Sequence, residues 1–249
     1  MPEEINRLLT DQISDRLYTT ERSALANLTR EGIAADRVCF VGNVMIDSLL
    51  GNRPRAKDPH ATLADHGVDP AILDGTEGYG VVTLHRPSNV DSVEVLKPLL
   101  VTLETIARKI PLVFALHPRT RANIARFGLD ELLNGPRTAL LPPLGYLEML
   151  GLMGAAKLVL TDSGGLQEET TALGVPCLTL RQNTERPITI EHGTNMLVGV
   201  DPAVIQAAVD DVLAGKGKAG RAPEFWDGQA AWRIAEDLWH FLYRPDTRP

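Results

Sequence analysis

Cysteine is scarce in this chain of 249 residues: Cys39 and Cys177 are its only two. Each lies in an apolar, strand-like run, where an isolated thiol behaves as a small buried hydrophobe. Neither cysteines nor histidines recur at metal-ligand spacing, so no metal site is expected. Long apolar runs are also missing. None approaches the ~20 residues that span a bilayer, and Met1-Pro2-Glu3-Glu4 has neither the basic region nor the apolar core of a signal peptide. Basic charge is short as well. The formal net charge is −7, which argues against a nucleic-acid or anionic-membrane surface. These absences predict a cytoplasmic protein. A Walker-type loop and a Gly-x-Gly-x-x-Gly fingerprint are lacking. So is a nucleophile elbow around Ser163, which argues against an α/β-hydrolase.

What the chain does have is alternation. With 44% hydrophobic and 23% charged residues, it can bury the core of one large domain or one and a half ordinary ones. Apolar runs at 81–84, 112–116, 138–141, 158–160, 177–180 and 196–198 are separated by helical patterns at 92–109, 121–127, 146–155, 165–173 and 202–213. Continuous apolar strands between helices predict an α/β fold, a Rossmann-like parallel sheet with helices on both faces. A last helix with a Trp-rich face spans 228–243, before a Pro-containing tail.

The first 50 residues read differently. Helical patterns at 3–10 and 21–31 and one strand at 37–41 are too few for an independent core. They predict the tail of a domain whose beginning is absent. A stretch rich in Pro, Gly and charge, 51–80, reads as a connector. The expected divisions are therefore 1–50, 51–80, a sheet domain at 81–228, and a closing helix and tail at 229–249.

Chemistry concentrates in Thr161-Asp162-Ser163-Gly164-Gly165-Leu166-Gln167-Glu168-Glu169. A strand that turns through Ser-Gly-Gly into a helix presents unpaired N–H groups at the positive end of a helix dipole, which is an anion site. Acids one turn further in can reach the hydroxyls of an attached ribose. In open parallel sheets ligands bind beyond the carboxyl ends of strands. There this sequence places His85-Arg86, His117-Pro118-Arg119, Pro142-Pro143 and Arg181 beside the Ser-Gly-Gly turn. Imidazoles and guanidinium groups around a helix start suit a diphosphate. Each piece alone has a simpler reading: a histidine after a strand as a cap, an arginine as a solvated loop charge, Ser163 as an N-cap, Glu168 and Glu169 as acids favoured by the helix dipole. Glu3 and Glu4 begin a helix after Pro2, where acids are favoured too; a Glu across a cleft from a histidine is alternatively a general acid or base. The joint occurrence on one edge favours a nucleotide site.

These segments, with others in order, resemble the non-hydrolysing UDP-N-acetylglucosamine 2-epimerases. The matching pieces are Pro2-Glu3-Glu4-Ile5-Asn6-Arg7, Val41-Gly42-Asn43 with Ile46-Asp47, Thr83-Leu84-His85-Arg86 with Asn89, His117-Pro118, and Leu144-Gly145-Tyr146. Thr161 to Glu169, Thr184-Glu185-Arg186-Pro187, Gly193-Thr194-Asn195 and Trp226-Asp227-Gly228 complete the set. The resemblance implies a two-domain fold shared with GT-B glycosyltransferases, with residues 1–50 as a remnant of the N-terminal Rossmann-like domain and 81–228 as the UDP-binding one. It implies conversion of UDP-GlcNAc to UDP-ManNAc with no cofactor. A base removes the C2 proton as UDP leaves C1, and UDP then re-adds to the 2-acetamidoglucal formed.

By the same resemblance Ser163, Gly164 and Gly165 match the diphosphate-binding turn and Glu169 the acid on the ribose. His85 matches the essential histidine near the leaving group, and Glu3 a catalytic acid. Arg86 and His117 match residues of the nucleotide or regulatory UDP-GlcNAc site, and Arg186 a substrate-contacting turn. The family's sequence normally precedes Pro2-Glu3-Glu4 with most of an N-terminal domain, so the expectation is a weak or inactive epimerase when alone. The partners expected are UDP-GlcNAc or UDP, with no nucleic acid or membrane, and either a homodimer or a separately encoded N-terminal half. A non-catalytic UDP-binding module and a GT-B glycosyltransferase stand as the alternatives; the Pro-Glu-Glu and Thr-Glu-Arg-Pro segments argue against the latter.

Overall fold

The computed structural model describes residues 2–243, with side chains from residue 4 onward. Two compact units divide the chain: Met1–Gly51 with Pro223–Pro249, and Asn52–Ala222. The first unit opens with α1 (Pro2–Ile13), β1 (Leu17–Thr19), α2 (Ser23–Arg30), β2 (Val38–Phe40) and α3 (Val44–Asn52). The second runs through α4 (Pro59–Asp65), β3 (Gly80–Thr83), α5 (Pro87–Val90), α6 (Val93–Ala107), β4 (Leu112–Ala115), α7 (Pro118–Arg126) and β5 (Thr138–Leu141). It continues with α8 (Tyr146–Ala155), β6 (Leu158–Thr161), α9 (Gly164–Leu173), β7 (Cys177–Thr179), α10 (Pro187–Glu191), β8 (Asn195–Leu197) and α11 (Pro202–Leu213). The last helix, α12 (Ala230–Tyr243), belongs to the first unit. No described helix is long and apolar enough to cross a membrane.

In the first unit β1 and β2 pair in parallel, Leu17 beside Val38 and Thr19 beside Phe40. Leu17, Leu28 and Ile33 form a small core there. Polar contacts fasten α12 to these strands. Asp237 accepts from Tyr18 Oη at 2.9 Å and Arg16 Nε at 3.0 Å. The Asp47 carboxylate accepts from the N–H groups of Ala230 and Ala231 at 3.1 and 2.7 Å, satisfying donors that a helix start leaves over. Gly42 has φ +92°, and a Cβ there would lie 2.1 Å from the Phe225 carbonyl oxygen, so no other residue fits. Cys39 departs from the expectation of a buried hydrophobe. It is half-buried, accepts from Arg16 Nη2 at 2.9 Å and lies 3.3 Å from Asp237. Cys177 is fully buried.

In the second unit a six-stranded sheet runs in the order β5-β4-β3-β6-β7-β8, every neighbouring pair parallel. Alternation along each strand divides the core in two. Val82, Phe114 and Leu160 face Leu100, Leu103, Ile106 of α6 and Val209 of α11. Val81, Val113 and Val159 face Leu63 of α4 and Leu152 and Met153 of α8. Strands buried on both faces are apolar throughout, which is why their runs stand out in the sequence.

Two expected divisions differ from these units. All but the first of residues 51–80 are built into the second unit: Leu63, Leu73 and Tyr79 are core residues, and Lys57 Nζ meets Glu148 at 2.8 Å. Their Pro and Gly residues punctuate a seven-residue helix and short 3-10 turns, pieces too brief for periodicity to reveal. The closing helix groups with the first 51 residues, through Asp237 and Asp47, rather than standing apart.

Candidate nucleotide site

The chain lays down β3, β4 and β5 toward one edge of the sheet, then crosses to β6, β7 and β8 on the other. At such a reversal the connections after the two central strands diverge and leave a crevice at their carboxyl ends. Thr83 of β3 is level with Thr161 of β6. Leu84-His85-Arg86 and Asp162-Ser163-Gly164 therefore leave the sheet side by side at the switch point.

Asp162 is fully buried. It accepts from the backbone N–H groups of His85 at 3.0 Å and Arg86 at 2.9 Å, and from Asn89 Nδ2 at 3.2 Å. His85 Nδ1 lies 2.9 Å from its Oδ1. Burial alone raises the Asp162 carboxyl, but the bonds from the His85 ring and the Arg86 N–H outweigh it and hold the group below its ordinary range. The His85 ring lies 5.7 Å from that of His117, tilted by 43°. His117 caps α7, its Nδ1 accepting from the Arg119 N–H at 3.2 Å.

Beyond Asp162, Ser163 is extended (φ −81°, ψ 133°) and α9 begins without a side-chain cap. The N–H groups of a first helical turn have no intrahelical partner. A Cβ on Gly164 would meet nothing within 4 Å, so the approach to the helix start is open. At the other end Gly174 terminates α9 in the left-handed conformation, φ +74°. A cavity of about 220 Å³ beside the helix start is lined by His85, His117, Pro143, Leu144, Met149 and Ser163. Glu169, one turn further along α9, is 8% exposed. Burial raises its carboxyl, a hydrogen bond from the Tyr146 hydroxyl opposes this, and the Glu168 charge adds to the rise.

The arginines are largely engaged with nearby acids. Arg181 grips Glu185 at 2.7 and 2.9 Å and holds that carboxyl down to about 2. Arg119 Nε bonds Asp91 at 2.7 Å, and Arg186 Nε forms an ion pair with Glu168 Oε2 at 3.1 Å. Arg86 Nε donates to the Asp162 carbonyl at 3.3 Å, with Nη2 3.9 Å from Glu185. The structure thus gathers His85, Arg86, His117, Ser163, Gly164, Gly165 and Glu169 at one sheet edge, with Arg186 turned to Glu168. Glu3 lies in α1 of the first unit; its side chain is outside the described residues. Among the described residues no cluster of His, Cys, Asp or Glu is arranged to hold a metal ion.

Sequence reading overlooked the partners behind this edge. Asp162, Asn89, Tyr146 and Gln167 stood within matching segments, but the sequence assigned none of them a role of its own. The β3–β6 pairing is what makes Asp162 the neighbour of His85.

A doubly wound parallel sheet, with an open helix start and a buried acid one turn in, defines a Rossmann-like unit, a fold in which ligands commonly bind at this crevice. The chain belongs to the UDP-N-acetylglucosamine 2-epimerase family, whose model matches residues 1–238. It is 40% identical over 216 residues to a UDP-N-acetylglucosamine 2-epimerase of Methanococcus maripaludis, covering 86% of this chain and 58% of that protein. It is 39% identical over 241 residues to a UDP-2,3-diacetamido-2,3-dideoxy-D-glucuronate 2-epimerase of Pseudomonas aeruginosa, covering 96% and 63%. The crystal structure of a Methanocaldococcus jannaschii UDP-GlcNAc 2-epimerase in complex with UDP-GlcNAc and UDP superposes with a TM-score of 0.81 at 39% identity, covering 96% of this chain and 65% of that one. The chain therefore spans 58% to 65% of the lengths of these three proteins.

Proposed function

We propose that the chain binds UDP-N-acetylglucosamine and serves its reversible 2-epimerisation to UDP-N-acetylmannosamine. The observation that carries this reading is the meeting of the α9 start, His85 and Glu169 at the sheet's switch point. The helix start suits the diphosphate. His85 Nε2 and Arg86 suit the charge that grows on the departing phosphate. Glu169 suits the ribose hydroxyls as an acceptor, and Leu144 and Met149 offer a flat base an apolar wall.

In the reaction a base takes the C2 proton while the C1–O bond breaks, leaving a C1=C2 double bond and free UDP. Return of the proton to the opposite face, with attack of UDP on C1, completes the inversion. Glu3 is proposed as an acid–base group at C2. The Pseudomonas relative favours a second reading of the sugar alone, a 2,3-diacetamido glucuronate on the same UDP. We place the protein in the cytoplasm, where its unpaired cysteines persist as thiols. Its proposed partner is a second copy or a separately encoded polypeptide, which light scattering distinguishes.

The test is incubation with UDP-N-acetylglucosamine in deuterium oxide, followed by proton NMR. The reading predicts UDP-N-acetylmannosamine and deuterium at C2, slow for the chain alone and faster with its partner present, both lost in His85→Gln. UDP binding without exchange would replace it with a binding module, and no binding would overturn both.

A further inference from the structure

We infer that Asp162 is a positioning residue, whose buried carboxylate sets the directions of His85 and Arg86 at the diphosphate site from the neighbouring strand. Its role as a positioner stands on geometry within the second unit. Only its consequence for ligand affinity rests on the diphosphate reading.

A carboxylate with no exposure is costly unless its oxygens are filled. Here the donors come almost entirely from one turn. Oδ2 takes the N–H of His85, the N–H of Arg86 and Asn89 Nδ2 at 3.0, 2.9 and 3.2 Å. Oδ1 takes the His85 N–H at 3.1 Å and His85 Nδ1 at 2.9 Å. A latch needed only to hold the backbone would use the N–H groups alone. Inclusion of the ring nitrogen fixes the imidazole: with Nδ1–H on Asp162, Nε2 is the atom presented away from the carboxylate. The His85 side chain is 37% exposed.

The same residue directs Arg86. Its carbonyl accepts from Arg86 Nε at 3.3 Å, beside the carboxylate's grip on the Arg86 N–H. Asn89 carries the connection further, donating also to the Leu180 carbonyl at 2.9 Å at the end of β7. Because Ser163 follows Asp162 directly, one residue sets the spacing between the cationic turn and the α9 start. An asparagine would retain the shape but turn an NH₂ toward donors already in place, and the turn would lose its grip.

The experiment is a long-range proton–nitrogen NMR spectrum of the ligand-free, nitrogen-15-labelled chain, with His85 assigned by its loss in His85→Gln. We expect a single ring form with Nδ1 protonated and its proton visible. Asp162→Asn should remove that resonance and weaken UDP binding about tenfold. A wild-type ring averaging between tautomers, with no Nδ1 proton, would overturn the assignment even if Asp162→Asn fails to fold. So would an Asp162→Asn protein that keeps both the resonance and wild-type affinity. A fixed wild-type ring in a chain that does not bind UDP upholds the positioning and refutes the diphosphate reading instead.

Discussion

Arg186 Nε lies 3.1 Å from Glu168 Oε2, joining a side chain that is 45% exposed to one that is 4% exposed. The pair fastens the Thr184–Pro187 turn to α9, together with the Thr184 hydroxyl, which donates to Gln167 Oε1 at 2.6 Å. Removing the guanidinium takes the opposite charge from a buried carboxylate. Arg186→Ala should cost about 1–2 kcal/mol, lowering the thermal midpoint by about 2–8 °C. Calorimetry should also show the Arg186→Ala, Glu168→Gln double variant recovering part of that loss, because the buried side chain then carries no charge.

Glu169 should matter through the ribose. Glu169→Ala is expected to weaken UDP binding by about 1–3 kcal/mol. Titration calorimetry with 2′-deoxy-UDP tests the contact, since a ligand lacking that hydroxyl should lose less. An equal loss with both ligands would place the effect elsewhere.

The raised carboxyl of Glu169 also has a pH signature. Its folded value lies above the ordinary 4.5, so the folded state holds a proton that the unfolded chain releases. The contribution to stability is complete below 4.5 and is lost as pH rises through the folded value. Glu169→Gln should therefore raise the ligand-free melting temperature more at about pH 7 than at about pH 4. Asp162 has the opposite sign: its stabilisation is present above 3.8 and is lost as pH falls through its lowered value.

Asn195 is fully buried and bridges three elements. Nδ2 donates to Gln167 Oε1 and Thr189 Oγ1, both at 3.1 Å, and Oδ1 accepts from Thr179 Oγ1 at 2.6 Å. Asn195→Leu strands these polar atoms and should cost about 2–3 kcal/mol. It should appear as a lower urea midpoint with an unchanged slope.

Features with local causes were readable before any coordinates. The strands at 80–83, 112–115 and 158–161 announce themselves because burial on both faces leaves them apolar up to their last residues. The α9 start announces itself because Ser-Gly-Gly after a strand is a short-range signal. β1, at Leu17–Thr19, was invisible: three residues ending in Tyr and Thr carry no period. The grip of Asp162 on His85 was equally hidden, because it depends on β3 lying beside β6 rather than on any spacing along the chain. The arginines misled for a related reason. Their positions after strands suggested a cationic crowd, yet Arg119 and Arg186 each meet an acid that only the folded loops bring near, and Arg181 meets Glu185 four residues on. Glu3 is the opposite case, an expectation that rests chiefly on family resemblance.

The most direct measurement of the central claim is a calorimetric series with UDP, UMP and uridine on the wild-type chain and His85→Gln. A diphosphate seated at the α9 start and His85 predicts affinity falling in the order UDP, UMP, uridine, with the gap between UDP and UMP narrowed in His85→Gln. Equal affinity for all three ligands, or a gap that His85→Gln leaves untouched, would contradict it.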